Sequence, residues 1–325
     1  KEPAKAIQSV EQATEIGHLL TQKGIDARFA PFISGRVVRE ESGDFFGKKS
    51  TLNNLHEELK QNGIAILEGG YRSGKTSLLY AVGERLEQEK LIQTSVHCDL
   101  MSNTSTSPDK IMEDIKLDLD EAPPGSKAVI TFDEIQAYDR QNQLKLLEMV
   151  DQLKAEGHKI VFSVIGDLQG NSPKELPREI KDKLLGMTRG KTVVNELLDD
   201  NEIKELLAHG DEPLFTEPVI RYLATEAGGH PLLANMLGSE CFHLLKNRDA
   251  EPGKIVEKVK SNVGDMLEGF SSAVDTIMAA GFDPLTWEWK GEGVKPDSKV
   301  YVNMLPGYTS TLFRDWLTEY VKDKK

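Results

Sequence analysis

Apolar positions recur along the chain with two different periods, and the change from one to the other divides it. Ile7, Val10, Ala13, Ile16, Leu19 and Leu20 return at helical spacing and predict a helix over residues 6–23, followed by a loop at 29–36. Leu52, Leu55 and Leu59 share one face of a second helix, about 50–60, with Ser50 as its N-cap. Short apolar runs at 64–68, 93–100, 128–132, 159–167 and 192–197 then read as buried strands. Helical patterns separate them: one begins near Lys75, one has Pro108 at its first position, and one spans 140–156 with Leu144, Leu147, Val150 and Leu153 on a face. This alternation predicts an α/β fold, a parallel sheet sandwiched by helices. From Asp199 the strand period disappears. Residues 200–280 are helical by pattern, broken at 209–210, 226–231 and 250–253. In the tail, 287–289 and 300–302 alternate like strands, and a closing helix capped by Thr309 or Ser310 buries Leu312, Phe313, Trp316 and Tyr320. The organisation expected is an entry segment at 1–43, an α/β core at 44–198, a helical subdomain at 199–280 and a small α+β C-terminal segment at 281–325.

Composition narrows the class. With 38% hydrophobic and 29% charged residues the chain is an ordinary globular one, and no apolar run is long enough to span a bilayer, so no membrane role is expected. The net charge of −13 argues against broad, sequence-blind nucleic-acid binding, which shows a basic footprint. Cys98 and Cys241 stand far apart with no metal-ligand spacing, which predicts buried free thiols in a reducing, cytoplasmic setting. The chain begins with Lys rather than Met and is expected to be a fragment of something longer.

The chemistry concentrates in two stretches. Gly69-Gly70-Tyr71-Arg72-Ser73-Gly74-Lys75-Thr76 fits the phosphate-loop pattern G-x-x-x-x-G-K-[ST] in full, between a predicted strand and a predicted helix that continues through Ser77. Phosphates need inward-pointing backbone N–H groups and room for close approach, which Gly69 and Gly74 provide. The helix N-terminus adds unpaired N–H groups and a positive dipole end. Lys75 is placed to reach the β- and γ-phosphates, and the Thr76 hydroxyl to ligate Mg²⁺. The second stretch, 128–134, is an apolar run ending in Asp133-Glu134. Asp133 at the strand tip suits Mg²⁺ held through its waters, and Glu134 suits orienting and deprotonating a water. Ser163 or Asp167, at the end of a later strand, would sense the γ-phosphate, or are ordinary strand-end polarity. Phe45-Phe46-Gly47-Lys48, one helix before the loop, is read as lining the adenine side.

In this order, Phe45-Phe46-Gly47-Lys48, the helix to Leu59, Gly69 to Thr76, Asp133-Glu134, Leu197-Leu198 and Gly229-His230-Pro231 resemble the archaeal-type P-loop ATPases of the STAND class, related to AAA+ proteins within the ASCE division. The resemblance covers roughly residues 30–245, with Leu312 to Leu317 like the C-terminal helix of such proteins. It implies a five-stranded P-loop domain followed by an α-helical lid whose Gly229, His230 and Pro231 pack on the adenine. His230 would also reach the phosphates on closure. It further implies a slow ATPase that switches between ATP and ADP, self-associates or acts on other domains of a longer chain, and carries a winged-helix domain of which 281–325 would be a remnant. Lys48 replaces the usual Arg, and neither a sensing Arg in the lid nor a Ser-Arg-Phe arginine finger is present; Arg178 and Arg189 are the nearest substitutes. An AAA+ ATPase acting on DNA, of the origin-recognition or transposition-regulator type, and a scaffold holding ADP permanently are the alternatives.

Overall fold

The computed structural model describes residues 47–70, 72–165, 168, 176–208, 215–246, 267, 270–291 and 311–324. The entry helix, Phe45, Phe46, Tyr71, Gly166, Asp167, the breaks at 209–210 and 250–253, the run at 300–302 and the caps Thr309 and Ser310 lie outside these residues.

Helix α1 (Lys49–Asn62) leads into β1 (Ile64–Gly69), then α2 (Lys75–Gln88), β2 (Thr94–Asp99), α3 (Pro108–Asp120), β3 (Ala128–Asp133), α4 (Arg140–Ala155), β4 (Lys159–Ile165), α5 (Arg178–Met187) and β5 (Val193–Asn195). Five strands form one parallel sheet in the order β2-β3-β4-β1-β5. Successive strand residues point to opposite faces, and the apolar runs feed both. Ile64 and Ile66 of β1, with Ile130, Phe132, Ile160 and Phe162, pack under α3, α4 and α5. Ala65 and Leu67, with Val129, Val161 and Val193, pack under Leu52, Leu55 and Leu59 of α1 and Leu78, Val82 and Leu86 of α2. Helices α1 and α2 thus cover one face and α3, α4 and α5 the other, and the connections from the neighbours β1 and β4 leave in opposite directions. In an open parallel sheet the crevice at such a switch, beyond the strands' carboxyl ends, is where ligands bind.

After β5 come α6 (Asp200–Ala208), α7 (Glu217–Ala227), α8 (Pro231–Lys246), α9 (Ser271–Ala279) and α10 (Thr311–Lys324). They share one core, in which Leu207, Leu223, Leu237, Phe270, Phe313 and Leu317 meet Ile165 and Leu198 from the sheet's edge.

Several local expectations need correction. Lys48, not Ser50, is the N-cap of α1; it is left-handed (φ 58°) and makes no side-chain cap bond. On α4 the buried stripe is Gln143, Leu146, Leu147, Val150 and Leu153, with Leu144 only half-buried. Gln143 holds its place by donating to the Ile135 and Tyr138 carbonyls at 3.2 and 2.8 Å. Residues 287–289 form no strand: they follow a turn at 284–286, with Trp287 at φ 58° and Trp289 in an isolated antiparallel bridge to Phe282. Trp316 and Tyr320 are half-buried and stack on each other at 5.2 Å, while Phe313, Leu317 and Val321 fill the core. Both cysteines are free and buried as expected, and burial pushes each thiol up to about 12. Among the described residues no helix is long and apolar enough to cross a membrane.

Candidate functional site

The turn from β1 into α2 depends on two glycines. Gly74 caps α2 at φ 91°, a left-handed conformation that strains any residue with a Cβ. Gly69 is needed for space instead: a Cβ there would lie 3.0 Å from the Asn195 Cβ and 3.1 Å from the Ser73 Oγ. The loop then closes on itself. Ser73 Oγ and Lys75 Nζ both donate to the Gly70 carbonyl, each at 2.9 Å. That carbonyl oxygen occupies the role a phosphate oxygen would take, as acceptor for a buried ammonium. Burial lowers the Lys75 pKa, opposed by the charges of Glu134 and Asp133.

β3 delivers the acids to the same place. Asp133, its last residue, accepts from Thr76 Oγ1 at 2.6 Å. Ser163 on β4 is fully buried; its hydroxyl donates to Asp133 Oδ1 and accepts the Glu134 N–H at 2.9 Å. Ser163 thus binds the Asp133 carboxylate and the Glu134 backbone together. Glu134 itself is left-handed (φ 60°, ψ 57°), an uncommon state for a residue with a side chain, and opens a short 3₁₀ turn (Ile135–Ala137). The sharp bend takes the backbone out of the sheet directly after Asp133.

The helical part reaches over this loop. Leu198 N–H donates to the Gly229 carbonyl at 2.8 Å, and Pro231 Cγ lies 3.9 Å from where a Cβ on Gly74 would stand. His230 is fully buried, edge-on to Phe270 with ring centroids 4.8 Å apart, so its ring belongs to the helical core. Gly47 and Lys48 pack on the same segment, Gly47 against Leu198 and Glu202. Lys48 is 6% exposed, and its Nζ has no hydrogen-bond partner among the described residues. Burial lowers its pKa to about 8, opposed by Glu202 and Glu196. It lines a cleft of about 810 Å³ between α1, β5 and α6, together with Asn54, Thr192, Glu196 and Glu202.

The structure therefore brings Gly69, Gly70, Ser73, Gly74, Lys75, Thr76 and Asp133 together, with Glu134 beside them and Pro231 above. Arg72 is exposed at φ 51°, and Ser77 is half-buried in the first turn of α2. Phe46 and Tyr71 lie outside the described residues. Asn195, which binds the loop through Ser73, is not singled out by pattern; its only sequence signal is a polar residue closing the apolar run Val193-Val194. Among the described residues no three His, Cys, Asp or Glu side chains gather to hold a metal. Thr76 and Asp133 instead suit an ion that keeps waters and completes its shell from phosphate, as Mg²⁺ does.

No protein-family model matches this chain, and no curated protein matches it in sequence. Solved structures do. Domain III of the Thermotoga maritima replication initiation protein DnaA is 17% identical over 66% of this chain and 95% of its own, with a TM-score of 0.44. A T. maritima RuvB variant is 15% identical over 85% and 88%, at 0.48. A Walker-type ATPase of Pyrococcus abyssi is 16% identical over 90% and 93%, at 0.46. These scores lie below 0.5, and the P-loop architecture rests on this chain's own strand order and glycine turn.

Proposed function

We propose that the chain is an ATP-binding, slowly hydrolysing nucleotide switch of the STAND kind, related to AAA+ proteins. The observation that carries this reading is the bond between Thr76 and Asp133 at 2.6 Å, which joins the phosphate-loop helix to the strand-tip acid. In this reading Lys75 leaves the Gly70 carbonyl for the β- and γ-phosphates, and the loop amides hold the rest. Thr76 and Asp133 would hold Mg²⁺, which neutralises phosphate charge when bound. Glu134 accepts a proton from the water whose oxygen attacks the γ-phosphorus as the bond to the β-phosphate oxygen breaks. Turnover is slow because no Ser-Arg-Phe finger follows β4, and such a finger supplies about 10³–10⁵ in rate.

Pro231 facing Gly74, and Leu198 bound to Gly229, support a lid that sits over the loop and hands its state to self-association or to other domains. Gly47 and Lys48 are proposed to face the base and ribose through that same segment. The test is phosphate release with a paired binding assay. Glu134→Gln is expected to bind ATP normally and release phosphate about 10²–10⁴-fold more slowly. A Glu134→Gln variant as fast as the parent chain would remove Glu134 from the reaction.

A further inference from the structure

We propose that Asn195 is a positioning residue that couples the state of the phosphate loop to the helical part. This rests on the nucleotide-binding reading above and gives it a route. Asn195 closes β5 directly opposite Gly69 in the parallel register, and it is fully buried. Its Nδ2 donates to the Ser73 carbonyl at 3.0 Å and to the Ser73 hydroxyl at 2.9 Å. That hydroxyl donates onward to the Gly70 carbonyl, which is also the acceptor of Lys75. A single side chain from the edge strand therefore holds the loop at the residue before Gly74, on the bond chain that ends at the phosphate-binding lysine.

The other direction is as short. Past Asn195 the backbone runs through Glu196 and Leu197 to Leu198, whose N–H binds the Gly229 carbonyl at 2.8 Å. Two residues beyond Gly229, Pro231 returns toward Gly74, its Cγ 3.9 Å from where a Cβ on Gly74 would stand. Hydrogen bonds and short stretches of backbone thus form a ring that runs through Gly70, Ser73, Asn195, Leu198, Gly229 and Pro231 and comes back beside Gly74. When Lys75 turns from Gly70 to a phosphate, Ser73 remains the side-chain donor to that carbonyl, and any shift of the loop pulls on Asn195. The Asn195 Oδ1 is buried with no hydrogen-bond partner among the described residues. An amide kept in that state, where an apolar residue would fill the space, points to selection for its two donors rather than for packing.

A purely structural Asn195 would lower melting temperature and affinity but leave the two regions responding together. The experiment is hydrogen exchange on the whole chain, with and without saturating Mg²⁺ and ADP, alongside titration with a fluorescent ADP. In the parent chain, ADP is expected to protect both 69–77 and the 196–202 and 228–233 segments. In Asn195→Asp, which keeps the shape but turns a carboxylate toward the Ser73 carbonyl, ADP affinity is expected to fall about 10-fold. At saturation the loop is protected and the 196–202 and 228–233 segments are not. Ser73→Ala removes two bonds of the ring, the one from Asn195 Nδ2 to the hydroxyl and the one from the hydroxyl to the Gly70 carbonyl, while leaving β5 intact. It is expected to weaken the same distant protection, and it carries the test if the Asn195→Asp variant does not fold. Undiminished distant protection in the variants overturns the coupling while leaving the nucleotide site standing. A parent chain that takes up no ADP overturns both.

Discussion

At the residue scale, the most unusual group is Lys48, an ammonium taken out of water with no hydrogen-bond acceptor among the described residues. Its pKa falls from 10.5 to about 8, mainly through burial and against the pull of Glu202 and Glu196. Between those two values the folded chain holds no proton there and the unfolded chain holds one, so stability rises with pH across that window. The fall costs about 3 kcal/mol of folding free energy while Lys48 is kept charged at pH 7. Lys48→Met is therefore expected to be the more stable chain at pH 7. Its advantage in chemical denaturation should shrink steadily from about pH 8 to pH 10.5. An advantage that stays flat over that range would show that Lys48 is not buried as a charge. Lys75 carries a lowered pKa for the same reason, and Glu134 and Asp133 restrain its fall. Raising the pH through that lowered value neutralises the amine and is expected to weaken phosphate binding.

At the scale of elements, β4 governs the acids that β3 carries. Ser163 is central in the sheet and touches both Asp133 and the Glu134 backbone. Ser163→Ala is expected to leave ADP affinity within about twofold and slow phosphate release about 10- to 100-fold, the usual effect of removing an orienting partner. An unchanged rate would show that Asp133 and Glu134 hold their positions without it.

Most of these elements are legible in the sequence because strands buried on both faces, such as 128–132 and 159–165, are apolar nearly throughout, with Thr131, Lys159 and Ser163 the exceptions. The glycine loop is legible because its residue types follow from backbone geometry, as Gly74 at φ 91° shows. What pattern misses is polar. Gln143 occupies a core position because two carbonyls at the 3₁₀ turn need a donor, and nothing local in the chain announces that need. Asn195 meets Ser73 across 122 positions of sequence, so only the register of β1 against β5 reveals the pair. Leu146 rather than Leu144 faces the core, because the buried stripe runs from Gln143 through Leu146, Leu147 and Val150 to Leu153 at three- and four-residue steps and Leu144 falls at its margin.

At the scale of the whole molecule, the sheet and the helices meet at one edge. Ile165 at the end of β4 and Leu198 just past β5 enter the same core as Phe270 and Phe313, so the helical part is anchored where the strands' carboxyl ends present the loop. The central claim is that one nucleotide with Mg²⁺ binds at that edge, between Lys75 and the Thr76–Asp133 pair. Titration calorimetry of the chain with ADP and Mg²⁺, parent against Lys75→Ala, tests it most directly. The account predicts one site per chain in the parent and no measurable binding in the variant. Equal affinity in the two chains, or no binding in the parent, would contradict it.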